Sequence, residues 1–171
     1  MVMKVYIKKA LNVFFWIMDK ADKKHYKKLY PKYLHWLGID IDTKNTEGTW
    51  ISPTTFWDSS KYEYIKIGTY VTISFDVAVL VHDLSIIHAA KYVGKNTRPI
   101  ICKKVEIGNN VFIGARTTIL PGSVIGDNCI VGSGSVVRGC LEKNSIYAGN
   151  PCKKIGTIED YIEKHRELIY E

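Results

Sequence analysis

The sequence lacks most of what would place a chain across a membrane, around a metal or inside a disulfide framework. No apolar run approaches the roughly 20 residues a spanning helix needs. The longest, residues 10–18, is interrupted by Asn12. It follows several lysines, as a secretory leader would. Only Asp19, Lys20, Ala21 and Asp22 come next, with no small-residue cleavage site, so the chain reads as soluble and cytoplasmic. Cysteine is sparse: Cys102, Cys129, Cys140 and Cys152 form no C-x-x-C pair and have no histidine cluster beside them. That argues against structural zinc and against a disulfide scaffold, and leaves small buried or half-buried thiols. There is no G-x-G-x-x-G, and the first 48 residues are too few for a dinucleotide-binding unit.

Acidic residues are scarce in one place only. Residues 1–33 hold nine lysines against Asp19 and Asp22, a net of +7, whereas residues 34–171 balance 15 basic against 15 acidic residues. The whole excess charge therefore sits on the first fifth of the chain. The neutral body makes a poor polyanion binder, so nucleic acid is not an expected partner. With 46% hydrophobic residues in 171, the chain has enough apolar material for one folded domain.

What is present is a period of six. Ile107, Ile113, Ile119, Ile125, Val131 and Val137 follow one another at six-residue intervals. Four residues after the first five come Val111, Thr117, Ser123, Cys129 and Ser135, and glycine directly follows the aliphatic position at 108, 114, 126 and 132. Neither a helix nor an alternating strand has this period. It predicts a parallel β-helix shaped as a triangular prism, with one short strand and one corner per hexad and three hexads per coil. The aliphatic residue points to the axis, and the small residue fits the corner. The same phase recurs at Ile67, Ile73 and Val79, with Val71 and Val77 in corner slots, and Ile51 and Trp57 begin it. A short insertion precedes Ile67. Between Val79 and Ile107 the interval is 28 residues, so a segment from about His82 to Lys103 loops out.

Helices flank the prism. Ile7, Leu11, Phe14 and Met18, with Ala10 and Ile17 beside them, predict one helical face. A second helix from about Lys23 to Trp36 is expected to break near Pro31. Thr157 and Asp160 make a capping-box-like start, and Ile158, Ile162, His165 and Ile169 supply one face of a C-terminal helix. The division is thus a basic helical cap at 1–48, the prism at 49–156 with its inserted loop at about 83–104, and a terminal helix at 157–171. The insertion opens with Val81-His82-Asp83. An imidazole there is either a solvated loop histidine or a base that takes a proton from an alcohol and returns it.

Five segments carry a resemblance: Phe56-Trp57-Asp58-Ser59-Ser60 leading to Ile65-Lys66-Ile67-Gly68; Val81-His82-Asp83-Leu84-Ser85-Ile86; Ile107-Gly108-Asn109-Asn110-Val111-Phe112-Ile113-Gly114-Ala115; Ile119-Leu120-Pro121-Gly122; and Tyr147-Ala148-Gly149-Asn150-Pro151-Cys152-Lys153-Lys154. Residues from about 56 to 167 resemble the hexapeptide-repeat acyltransferases. They look most like the O-acetyltransferases of capsular and surface polysaccharides and the galactoside and maltose acetyltransferases. The resemblance implies a mainly β, left-handed parallel β-helix and a homotrimer with sites between adjacent prisms. It also implies acetyl-CoA as co-substrate with no metal. His82 matches the family's general base, which would deprotonate an acceptor hydroxyl for direct attack on the thioester. Asp58 and Asp83 match substrate-binding positions. By hexad counting Asp58 shares a prism face with His82, where it could hold an acceptor hydroxyl or orient the imidazole. Asp83 would point away from His82 in an extended strand. Phe112, Gly114, Ala115, Ser133, Arg138, Lys153 and Lys154 match positions along coenzyme A. Ala115 supplies an oxyanion N–H, Gly114 a slim corner for the pantetheine arm, and the three cations meet phosphates.

The sequence departs from the family at Phe112, where many relatives carry Trp, at Gly156, where some carry a basic residue, and at Gly139-Cys140-Leu141-Glu142. N-acetylation of an amino sugar or a nucleotide-linked amino sugar uses the same fold and donor. A non-catalytic scaffold uses the fold alone. A zinc hydratase needs three convergent histidines, and only His82 and His88 are close in sequence. The basic N-terminal helix either caps the prism or holds the protein at an anionic membrane surface.

Overall fold

A computed structural model describes residues 2–58 and 60–171, with side chains from Ile7 onward. Ser59 of the first matching segment and the Lys4 side chain lie outside it. The six-residue period becomes three parallel sheets, the faces of a prism. The first face stacks Asp40–Ile41, Ile65–Ile67, Val105–Ile107, Val124–Ile125 and Cys140–Leu141. The second stacks Trp50–Ile51, Thr72–Ile73, Phe112–Ile113, Ile130–Val131 and Ser145–Ala148. The third stacks Phe56–Trp57, Ala78–Val79, Thr118–Ile119 and Val136–Val137. Partners in register stand eighteen residues apart in the regular part, as Ile107 and Ile125 do. The prism begins one strand earlier than the hexads suggest, because Asp40–Ile41 pairs in parallel with Lys66–Ile67.

The axis is aliphatic. Ile107, Ile113, Ile119, Ile125, Val131 and Val137 are all at most 2% exposed, and so are the corner residues Val111, Thr117, Ser123, Cys129 and Ser135. Most corners turn through one residue in the left-handed region. Tyr70, Asp76, Asn110, Arg116 and Asn128 have φ between 52° and 59°, and Gly122 and Gly134 occupy the equivalent slots. Asparagine tolerates that conformation best among residues with a side chain. Here it also forms a ladder: Asn110 donates to Asn128 at 2.9 Å, and Asn128 to Asn144 at 2.8 Å.

The N-terminal hairpin of α1 (Val2–Ala21) and α2 (Lys23–Leu37) sits on the first coil. Tyr26 donates to the Ile51 carbonyl, and Trp50 Nε1 to Asp19 at 2.9 Å. Phe15 stacks on Tyr33 and meets Tyr30 edge-on. The α1 face differs from the one expected. Leu11, Phe15 and Met18 pack inward, whereas Ile7, Phe14 and Ile17 are exposed. Helix α2 is not broken at Pro31. It runs on to Leu37, because Tyr30, Tyr33 and Leu34 on either side of the proline are buried in the aromatic cluster.

Strand partners across the gap, such as Ile67 and Ile107, stand forty residues apart rather than eighteen, an excess of twenty-two. That excess equals His82–Lys103. The segment leaves directly after buried Val81, and the Lys103 N–H returns to the Val81 carbonyl at 3.0 Å. It is an antiparallel hairpin, His82–Asp83 against Ile101–Cys102, and it carries a helix, α3 (Ser85–Tyr92), where the sequence predicts only a loop. At the far end Lys153–Thr157 folds back antiparallel on Ser145–Ala148. The capping box of Thr157 and Asp160 is present and opens α4 (Ile158–Lys164). The C-terminal helix is interrupted at His165, after which α5 spans Arg166–Tyr170.

Candidate active site

Asp58 ends the strand Phe56–Trp57 on the third face, and His82 opens the inserted hairpin below it. Stacking of the coils places one against the other. Asp58 is 3% exposed, and its carboxylate is fully engaged. Oδ1 accepts the Ser60 N–H at 3.1 Å. Oδ2 accepts the Val81 N–H at 3.0 Å, the His82 N–H at 3.1 Å and the His82 ring at Nδ1 in a short contact. Burial pushes this carboxyl up, but the Val81 and Ser60 N–H groups and the His82 ring outweigh it and hold it at about 2. A carboxylate only accepts, so in the neutral ring Nδ1 carries the proton and Nε2 has the free lone pair. The His82 side chain is 32% exposed. Asp58 was expected among substrate-binding residues. Its oxygens are taken by the protein, Oδ2 by the His82 ring among others, which is the contact that the alternative of orienting the imidazole requires. Ser60, whose Oγ lies 3.2 Å from His82 Nδ1, was not singled out in the sequence. Its signal was the Asp-x-Ser turn itself.

Asp83 lies in the extended strand beside His82, and its carboxylate accepts the Ser85 N–H at 2.7 Å. That N–H, the Ser85 hydroxyl and then Arg138 lower its pKa. Arg138 is therefore close to the hairpin, three coils below Asp58 on the same corner. With Asp83, Lys103, Ile101, Leu120 and Pro121 it lines a cleft of about 280 Å³. Lys153 and Lys154 lie in the returning strand at the end of the prism. Lys154 pairs there with Glu142 at 3.2 Å.

Phe112, Gly114, Ala115 and Ser133 occupy the second face and the corner that leads from it to the third. Phe112 points outward, 42% exposed. A Cβ on Gly114 would lie 2.5 Å from the Ser133 backbone nitrogen and 2.7 Å from its Oγ. The coil below thus demands glycine here, before any ligand does. Gly108 and Gly126 meet the next coil in the same way. The Ala148–Cys152 segment continues this edge, with the Cys152 N–H donating to the Val136 carbonyl at 3.0 Å. Within one chain, then, Asp58, His82, Asp83 and Arg138 gather on one edge of the third face. Phe112, Gly114, Ala115 and Ser133 gather around the other.

Comparison with known proteins decides the family. Residues 104–139 match the bacterial transferase hexapeptide family, described as six repeats. The galactoside O-acetyltransferase of Escherichia coli K12 is 30% identical over 133 residues, 70% of this chain. Residues 104–139 place this part of the chain among the hexapeptide-repeat transferases. YvoF of Bacillus subtilis 168 is 36% identical over 102 residues, 60% of this chain. The matched parts cover 65% and 53% of those two relatives, less than two thirds of their length. Among solved structures of this transferase family, a maltose O-acetyltransferase from Clostridium difficile 630 superposes with a TM-score of 0.56 at 25% identity, covering 87% of this chain and 83% of that one. A galactoside acetyltransferase in complex with coenzyme A superposes with a TM-score of 0.52 at 26% identity, covering 80% of this chain and 83% of that one.

Proposed function

We propose that this chain is an acetyl-CoA-dependent O-acetyltransferase acting on a hydroxyl of a sugar or polysaccharide. The observation that carries the reading is the Asp58–His82 pair at the base of the only inserted hairpin among the described coils. His82 Nε2 takes the acceptor's O–H proton as its oxygen attacks the thioester carbonyl. The tetrahedral intermediate expels the thiolate of coenzyme A, and His82 returns the proton to that sulfur. No enzyme nucleophile is needed. Asp58 fixes the ring's tautomer and steadies the imidazolium that forms. The Ala115 N–H, which has no acceptor among the described residues, would face the oxyanion. Sugar acceptors are supported by the names of the galactoside and maltose relatives, and the donor by the coenzyme A complex.

The two residue groups on opposite edges of the third face support a homotrimer. One prism's His82 edge would meet the other edge of its neighbour, bringing base, Phe112 and Ala115 into one cleft. Lys153 and Lys154 at the prism's end are offered to the phosphates, Lys154 after releasing Glu142. Arg138 is assigned instead to the acceptor end, from its place beside Asp83. Acetyl-CoA titration by calorimetry tests the reading, with thiol release against a panel of galactosides, maltose and amino sugars and His82→Ala in parallel. Turnover on hydroxyl acceptors that His82→Ala abolishes is expected. Turnover on amino sugars alone moves the reaction to nitrogen. Folded protein that binds no acetyl-CoA overturns the proposal.

A further inference from the structure

Helix α1 has two unlike sides. Inward, Phe15 is 5% exposed, and Lys8 meets Tyr62 of the prism. Outward, Ile7, Phe14 and Ile17 stand 44%, 47% and 53% exposed, and Val13 59%. Spacings of seven and three place Ile7, Phe14 and Ile17 on one stripe, with Ala10 among them. Trp16, 51% exposed, borders it together with Lys9 and Lys20. Nothing in this chain covers that stripe among the described residues.

The charge around it says what can. Residues 1–33 carry a net of +7. Their two acids are already committed inside the cap, Asp19 to the Trp50 indole at 2.9 Å and Asp22 to the N–H and ring of His25. A second copy laid on the stripe would bring the same lysines against these. An anionic surface suits both the cations and the apolar stripe. We propose that α1, with the lysines of the helical cap, seats the protein on the surface of an anionic lipid bilayer. Ile7, Phe14 and Ile17 enter the boundary between headgroups and acyl chains, and Lys9, Lys20 and Lys24 face the headgroups. No helix among the described residues is long and apolar enough to cross a membrane, so α1 lies in the surface plane.

Flotation of the full chain with phosphatidylcholine vesicles, with and without phosphatidylglycerol, tests this. The protein is expected to float with the anionic vesicles and to stay behind with the neutral ones. Each lysine contributes about fivefold near such a surface, so K9E/K20E should weaken binding by at least roughly 25-fold. V13E/I17E should abolish it. Both pairs sit at exposed positions, and a thermal unfolding curve confirms that each variant is folded. Thiol release on a soluble acceptor, measured alongside, should be unchanged, which separates this proposal from the catalytic one. Absent flotation, or equal flotation with both vesicle types, overturns it. So does a V13E/I17E variant that falls apart into smaller species in the ultracentrifuge without lipid, since the stripe would then be a contact between copies.

Discussion

Asp58→Asn isolates the charge of the orienting group while keeping its shape. The carboxylate serves four N–H donors, three of them on Oδ2. An amide in its place keeps an oxygen toward Val81 and His82 only by turning its NH₂ at the Ser60 N–H, donor against donor. The first consequence is stability. A carboxyl held at about 2 rather than 3.8 contributes about 2 kcal/mol to the folded state at neutral pH. The variant forfeits that and should melt several degrees lower. The second consequence is catalytic. As His82 accepts the acceptor's proton, a charge-assisted hydrogen bond to Asp58 gives way to a neutral one. A loss of about 1.5–3 kcal/mol lowers kcat by about 10- to 150-fold. The KM for acetyl-CoA should hardly move, because Asp58 is buried behind the imidazole. The assay is thiol release with the first acceptor that supports turnover, at a temperature where unfolding curves show both proteins folded. The ¹⁵N shifts of the His82 ring serve as a direct report of tautomer. A folded variant with kcat within a few-fold of the parent and an unchanged ring tautomer would refute the dyad.

The same pair governs acid stability. The folded-state pKa of Asp58 is depressed, so its contribution is complete above about pH 4 and is lost as pH falls toward 2. The difference in unfolding free energy between parent and Asp58→Asn should be flat above pH 4 and shrink below it in urea titrations. Gly114→Ala places a methyl 2.5 Å from the Ser133 nitrogen, a backbone atom. A cost of about 1–3 kcal/mol follows, read as a Tm lowered by roughly 3–10 °C; an unchanged Tm would show that the coils separate freely. Removal of residues 82–103 joins Val81 to Lys104 and restores the six-residue interval between Val79 and Ile107. That deletion should keep the β-helix circular dichroism and a cooperative melt while losing all acetyl transfer, and a chain that fails to fold would show the hairpin to be part of the core.

The prism was legible because one stacking rule repeats. Each aliphatic residue from Ile107 to Val137 packs on its counterpart one coil away, so the chemical identity of a position follows from its place in the hexad. The insertion was legible as a defect in that count, and its ends at His82 and Lys103 agree with the strand register. The helical cap was harder. Apolar residues surround α1 on more than one side, and the spacing predicts a face of Ile7, Leu11, Phe14 and Met18. The structure keeps Leu11 and Met18 of that face, adds Phe15, and leaves Ile7 and Phe14 outside. What chose the buried face is the aromatic cluster of Tyr26, Tyr30 and Tyr33 on α2, a tertiary partner that no local pattern announces. Asp58 was legible in place but not in its contacts. Counting placed it near His82 correctly, but not the three backbone N–H groups from Ser60, Val81 and His82 that occupy its oxygens.

A solenoid separates the demands of stability from those of chemistry. Every coil of the regular part is interchangeable to its neighbours, so the axis tolerates a strand exit wherever the backbone can rejoin in register. Here the Val81 carbonyl accepts from Lys103 and closes the coil as though the twenty-two residues His82–Lys103 were absent. The hairpin therefore imposes no gap in the core, and its first residue inherits a fixed position from the coil that launches it. His82 needs that rigidity, because a base must meet its proton within a few tenths of an ångström. The coil above supplies the rest, in the lengthened corner after Trp57, where Asp58 takes the slot that Leu80, Leu120 and Arg138 fill in the coils below. One substitution in the repeat and one interruption of it, stacked on the same edge, are enough to build the dyad.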